Sequence, residues 1–125
     1  MDTSELQTLL QGIATYAASR REQDTERVHR PVAAYPELLE RFRLPLQEEG
    51  IPAQQVIAEL IGNTEPGLAA MTGPRFHGWV IGGSSPIGVA ADWLTSVWGQ
   101  NTANHLATPS ASAAEETSAN ALLDL

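Results

Sequence analysis

The chain has no lysine and no cysteine. Without cysteine there can be no disulfide, no thiolate nucleophile and no thiolate ligand for zinc. Without lysine no side-chain amine can condense with a carbonyl, so a lysine Schiff base is excluded for this chain by itself. The seven basic residues are all arginine and face fifteen acidic ones, for a net charge of −8. Five of them, Arg20, Arg21, Arg27, Arg30 and Arg41, stand within a few positions of an acid. No basic stripe forms, and nucleic acid is not expected as a partner, because neutralising phosphates takes clustered cations. Long apolar runs are also missing. Nothing approaches the roughly 20 residues that span a bilayer. The opening MDTSELQTLLQG has neither the basic start nor the continuous apolar stretch of a signal peptide. The expectation is a cytoplasmic protein with no membrane partner.

What remains is a chain of 125 residues, 42% hydrophobic and 18% charged, with room for one modest core and no mark of wholesale disorder. The pattern is mainly α. Residues 4–21 place Leu6, Leu9, Leu10, Ile13, Tyr16 and Ala17 on one helical face, with Ser4 and Gln7 in the form of a capping box and Arg20 and Arg21 at the C-terminal end. That face needs a cover, from its own domain or from another subunit. Residues 22–35, broken by Pro31, read as a linker or surface excursion. A short helix over 36–43 opens at Pro36, and a clearer one over 52–62 opens at Pro52 and closes at Gly62-Asn63. A further turn or two is expected between Pro66 and Met71. FHGWVI, 76–81, reads as extended chain. Residues 86–101 read as a broadly apolar and therefore largely buried helix, with Ser85 as N-cap and Pro86 at the first helical position. A last helix spans 110–124, and the stop at ALLDL, without cap or polar tail, reads as a cut. The reading divides the chain into 1–35, an amphipathic helix and linker, and 36–125.

Few constellations carry chemistry. His29, His77 and His105 are far apart in sequence, and no pair has metal-ligand spacing. Glu48-Glu49 and Glu115-Glu116 read as solvated pairs. Gly82-Gly83-Ser84-Ser85-Pro86 looks like a nucleophile turn but fails the G-x-S-x-G spacing, since Ile87 stands where the closing glycine belongs for Ser84. A helix cap explains Ser85 with local geometry alone. The same turn could also hold an anion on backbone N–H groups, with Trp79, Val80 and Ile81 as an apolar wall beside it.

In PRFHGWVIGG, PIGVAADWLTSVWGQN and ATPSASAAEE, taken in that order, the sequence resembles the group II pyridoxal-phosphate-dependent amino-acid decarboxylases. The first piece is similar to the family's H-P-x-F segment, with Gly73 where histidine is commonest. The second is similar to its helix with an A-D-x-L core, and the third to its S-P-A-x-x-x-x-E segment. PAQQVIAELIGNTEPGLAAMTGP resembles the helix that leads into H-P-x-F, so the resemblance covers about residues 30–125.

The resemblance implies the helical N-terminal segment of an aspartate-aminotransferase-type enzyme, truncated before the large cofactor domain. It implies a homodimer, pyridoxal phosphate as cofactor and an amino-acid substrate. By the same resemblance the stretch 73–86 lines the substrate pocket through Trp79, Val80, Ile81 and Gly82, with backbone donors at Gly83 and Ser84. Asn101 and Ala103 would lie near the neighbouring subunit's pocket. The sequence departs from the aromatic-acid members, which carry a hydroxyl residue at Gly82 and bulkier apolar ones at Asn101 and Ala103. The family's Schiff-base lysine lies beyond the matched part, so this chain alone is expected to be inactive, with no catalytic residue of its own. Two other readings stand beside this one: a non-catalytic helical interaction module, and a small anion-binding or hydrolytic domain built on Gly82–Ser85.

Overall fold

A computed structural model of the chain describes every residue except Gln47, Gly82 and Leu125. The fold is mainly helical, with no strand among the described residues. Among the described residues five α-helices, each with a local reason to start, fall into two units, Met1–Gly83 and Ser84–Leu125.

In the first unit α1 spans Thr3–Gln23. Its capping box uses Asp2 and Glu5, not Ser4 and Gln7: the Asp2 carboxylate accepts the Glu5 N–H at 2.8 Å, and the Glu5 carboxylate accepts the Asp2 N–H at 2.7 Å. Charged acceptors at the positive end of the helix dipole make the stronger cap, and the helix starts earlier for it. Leu9, Leu10, Ile13, Tyr16 and Ala17 are half-buried as the periodicity predicts, while Leu6 is exposed. Helix α2, Tyr35–Phe42, has Pro36 in its first turn. Helix α3, Ala53–Thr64, runs through Gly62 and Asn63, the expected stop. Neither takes the left-handed conformation that would end a helix there. Instead α3 tightens into a 3₁₀ turn, Glu65–Gly67, where the Pro66 ring ends helical hydrogen bonding.

Helices α2 and α3 and the 3₁₀ turn pack on one another, with the Leu38 side chain seated over Gly67. The stretch read as a linker is tied down. Its Val32 and Ala33 N–H groups both donate to the Pro66 carbonyl, at 3.0 and 2.9 Å, and Asp24 is buried. Between α1 and α3 lies an apolar groove of about 170 Å³, lined by Leu9, Gly12, Ile13, Ile57, Ala58 and Ile61.

In the second unit α4 spans Pro86–Trp98. The Ser85 hydroxyl accepts the Gly88 N–H at 3.1 Å, which is the cap expected from sequence. Gly99, at φ 55°, ends the helix before the expected residue 101, because glycine takes the left-handed conformation at no steric cost. The Asn104 side chain accepts the Leu106 and Ala107 N–H groups in the loop that follows. Helix α5, Pro109–Leu123, begins after the buried Thr108.

Neither unit has a core of the ordinary kind. Ala70 is the only buried hydrophobic residue among those described. The expectation that α4 is largely buried is corrected: Ile87, Leu94, Val97 and Trp98 are all exposed. Apolar composition specifies that a face will be covered, but not by which surface.

Candidate functional site

The run FHGWVI is not extended. Trp79 and Val80 both have positive φ, 58° and 55°, and the Ile81 N–H donates to the Gly78 carbonyl at 3.3 Å. Two left-handed central residues closed in this way form a turn of type I′ character, a place usually taken by Asn and Gly. Here one residue is an indole and the other is β-branched, for which a left-handed backbone is a genuine outlier. The expectation failed because β-branched and aromatic residues in a row carry strand propensity, and the turn runs against it.

The turn displays what it strains. The Trp79 side chain is 83% exposed and Val80 fully so, while Ile81 is partly covered. Strained positions of this kind cost on the order of 1–3 kcal/mol each and gather at ligand clamps and active sites. Val80→Gly should therefore raise the stability of the full chain by about 0.5–1 kcal/mol. Relief of a left-handed residue, about 1–2 kcal/mol, outweighs the entropy glycine adds to the unfolded state, roughly 0.4–1 kcal/mol. A urea midpoint that falls on this substitution would show the turn to be unstrained.

The other residues expected at the site divide between the units. Gly83 belongs to the first, exposed and with open space where a Cβ would sit. Gly82 lies outside the described residues. Ser84, Asn101 and Ala103 belong to the second unit. Ser84 is half-buried. Asn101 folds onto its own loop: its side-chain oxygen accepts the Ala103 N–H at 2.9 Å, and its carbonyl accepts the Thr108 hydroxyl at 2.5 Å. That bond satisfies the buried Thr108 and fixes the loop between α4 and α5.

A polar network invisible in the sequence lies in the first unit. The Glu65 carboxylate accepts the Tyr16 hydroxyl on one oxygen, and Arg20 at 2.5 Å and Arg27 at 2.8 Å on the other. Arg20 also donates from Nε to Asp24 at 2.8 Å, and Thr72 donates to the second Asp24 oxygen at 3.1 Å. Partial burial would push the Glu65 carboxyl up, but the hydrogen bonds from Tyr16, Arg27 and Arg20 outweigh it and hold the pKa at about 2. Burial and the adjacent Glu65 carboxylate raise the Tyr16 phenol. Only the Arg20–Asp24 step of four residues could have been read from sequence. The network fastens α1 to the 3₁₀ turn and to the chain at Thr72.

The described residues hold no group of three or more His, Cys, Asp or Glu placed to bind a metal ion. Pyridoxal phosphate does not fit the donor set of this chain. There is no lysine to carry it, all three histidines are exposed, and the Ser85 hydroxyl is engaged by the Gly88 N–H. Among the described residues no helix is long and apolar enough to cross a membrane.

No family model matches the chain, and no curated protein and no solved structure matches it.

Proposed function

We propose that the chain is a positioning and packing segment of a pyridoxal-phosphate-dependent decarboxylase acting on an L-amino acid. In this reading its helices pack against a second protein surface, and its Trp79–Ile81 turn presents a substrate-side wall. The chain binds and orients; cofactor attachment and proton transfer belong to residues outside it. The order of the three sequence pieces supports the enzyme class. The observation that carries the positioning role is the strained, exposed Trp79–Val80 turn. A bulky side chain held in a costly conformation and offered to solvent is shaped for something that covers it.

The uncovered apolar faces equally suit a helical interaction module, so the test must separate the two. The chain is joined in frame to the lysine-bearing cofactor region of a group II decarboxylase that has lost its own N-terminal segment. Carbon dioxide release from an L-amino acid should return, and Trp79→Ala should lower kcat/KM for that substrate while cofactor content stays unchanged. A fusion loaded with cofactor but silent, where the unaltered enzyme is active, contradicts the reading and leaves the interaction module.

A further inference from the structure

Trp79 stands apart from the other aromatic residues of the chain, which has three Trp, two Tyr and two Phe. Tyr16, Tyr35, Phe42, Trp93 and Trp98 lie in helices α1, α2 and α4. Phe76 lies outside a helix but is half-buried. Trp79 alone is both exposed and outside a helix. An endoprotease that reads an aromatic side chain needs both conditions. It binds the substrate chain extended on either side of the bond it cuts, so a helix must unwind before it can be cut.

The turn is also poised to extend. Among the described residues one backbone hydrogen bond closes it, from the Ile81 N–H to the Gly78 carbonyl at 3.3 Å. That is long for such a bond. When the turn opens, Trp79 and Val80 both leave the left-handed region. Release of one left-handed residue favours the opened form about 5- to 30-fold. Phe42 and Trp98, the last residues of α2 and α4, hold no such strain. Tyr35 is exposed but precedes Pro36, whose ring nitrogen has no N–H and is a poor leaving group in these enzymes' sites.

Position gives a further reason. The Trp79–Val80 bond lies close to the boundary between the two units, which falls between Gly83 and Ser84. Hydrolysis there cuts no helix. It also spares the Glu65 hydrogen bonds, the Ser85 cap and the Thr108–Asn101 bond.

We propose that the Trp79–Val80 bond is a cleavage site for an endoprotease of aromatic specificity. Water adds across the peptide bond, leaving a carboxylate on Trp79 and an amino group on Val80, and no other reactant enters. The cut dissolves the turn that displays Trp79, so it switches off the positioning role proposed above. The site itself needs no cofactor, no activity and no second surface, and it stands whether or not that role does.

The full chain is digested with a small amount of chymotrypsin and sampled over time by mass spectrometry. The first products should be residues 1–79 and 80–125 in equal amounts. A first cut at Phe42, Trp98 or a leucine, or early cuts spread over several bonds, would overturn the proposal. Trp79→Ala should lengthen the life of the intact chain several-fold, and an unchanged lifetime would overturn it too. Val80→Gly keeps a left-handed turn without strain and should slow the cut about 5- to 30-fold. Each of these rates is taken relative to a free peptide of residues 74–85 with the same substitution, which removes the enzyme's own preference beside the cut bond. Equal relative rates would mean that strain does not open the turn, and would contradict the mechanism. Failure of the decarboxylase fusion would leave these results untouched, so the two readings fail separately.

Discussion

Glu65→Ala should release α1 from the rest of the first unit. The carboxylate satisfies Tyr16, Arg20 and Arg27 at once, and its side chain is only 24% exposed. Removing it leaves Arg27 without that partner and a half-buried phenol without an acceptor. Such losses cost the desolvation of the stranded groups in addition to the bonds themselves. The depressed pKa gives the scale. A fall from the ordinary carboxylate value of 4.5 to about 2 corresponds to about 3 kcal/mol, and the part still in water brings the expectation to about 2–3 kcal/mol. Hydrogen exchange should report it as a loss of protection of about 30- to 150-fold in the C-terminal half of α1. Protection unchanged there would mean that the Leu9–Ile13 contacts hold the helix alone. The same bond sets an acid dependence. A carboxyl whose folded pKa is depressed contributes fully above its unfolded value, and the contribution is lost as pH falls. Protection of α1 should therefore decline between pH 4.5 and about 2, and Glu65→Gln should flatten that decline.

Gly73→Ala should be the second large effect, and for a steric reason. A Cβ at this position would press on the backbone carbonyl oxygen of Asp24, with the Ala70 carbonyl oxygen at 3.2 Å. Both obstacles are backbone and cannot swing aside as a side chain would. Asp24 and Ala70 are two of the three buried residues among those described, so the collision falls on the tightest point of the unit. Overpacking of this kind costs about 1–3 kcal/mol. It should also lengthen the Thr72–Asp24 bond and loosen the chain that leads to the Trp79 turn. Urea unfolding of Gly73→Ala should show a lower midpoint, with α1 protection reduced next to Asp24. An unchanged midpoint would mean that the backbone at Gly73 and Asp24 lies further apart than the structure places it.

The two predictions share a place, since both act at the C-terminal end of α1, Glu65 on Tyr16 and Arg20 and Gly73 on the Asp24 carbonyl. Helix positions were legible in the sequence because local signals set them. Pro36, Pro52 and Pro86 mark openings, Ser85 caps α4, and the 3.6-residue rhythm of Leu9, Ile13, Tyr16 and Ala17 marks the covered face of α1. The cap of α1 was misplaced by two residues because two capping boxes overlap there, and the carboxylate box is the stronger. The Trp79–Val80 turn was missed because strand propensity and turn geometry oppose each other at those residues. Glu65 was missed because its partners lie 38 to 49 residues away. Of the candidate site, the sequence singled out residues that the structure exposes at Trp79 and Val80, while Asn101 turns out to be occupied with its own loop. The exposure of α4 could not be read at all, since periodicity reports that a face is apolar and not what lies over it.

We propose that this chain positions and packs, and that lysine and cofactor chemistry belong to other residues than its own. The most direct measurement is carbon dioxide release by this chain fused to the lysine-bearing cofactor region of a group II decarboxylase. Release from an L-amino acid, lowered by Trp79→Ala at unchanged cofactor content, is the expected result. A fusion that carries cofactor and releases no carbon dioxide, where the unaltered enzyme does, would contradict it and leave an interaction module.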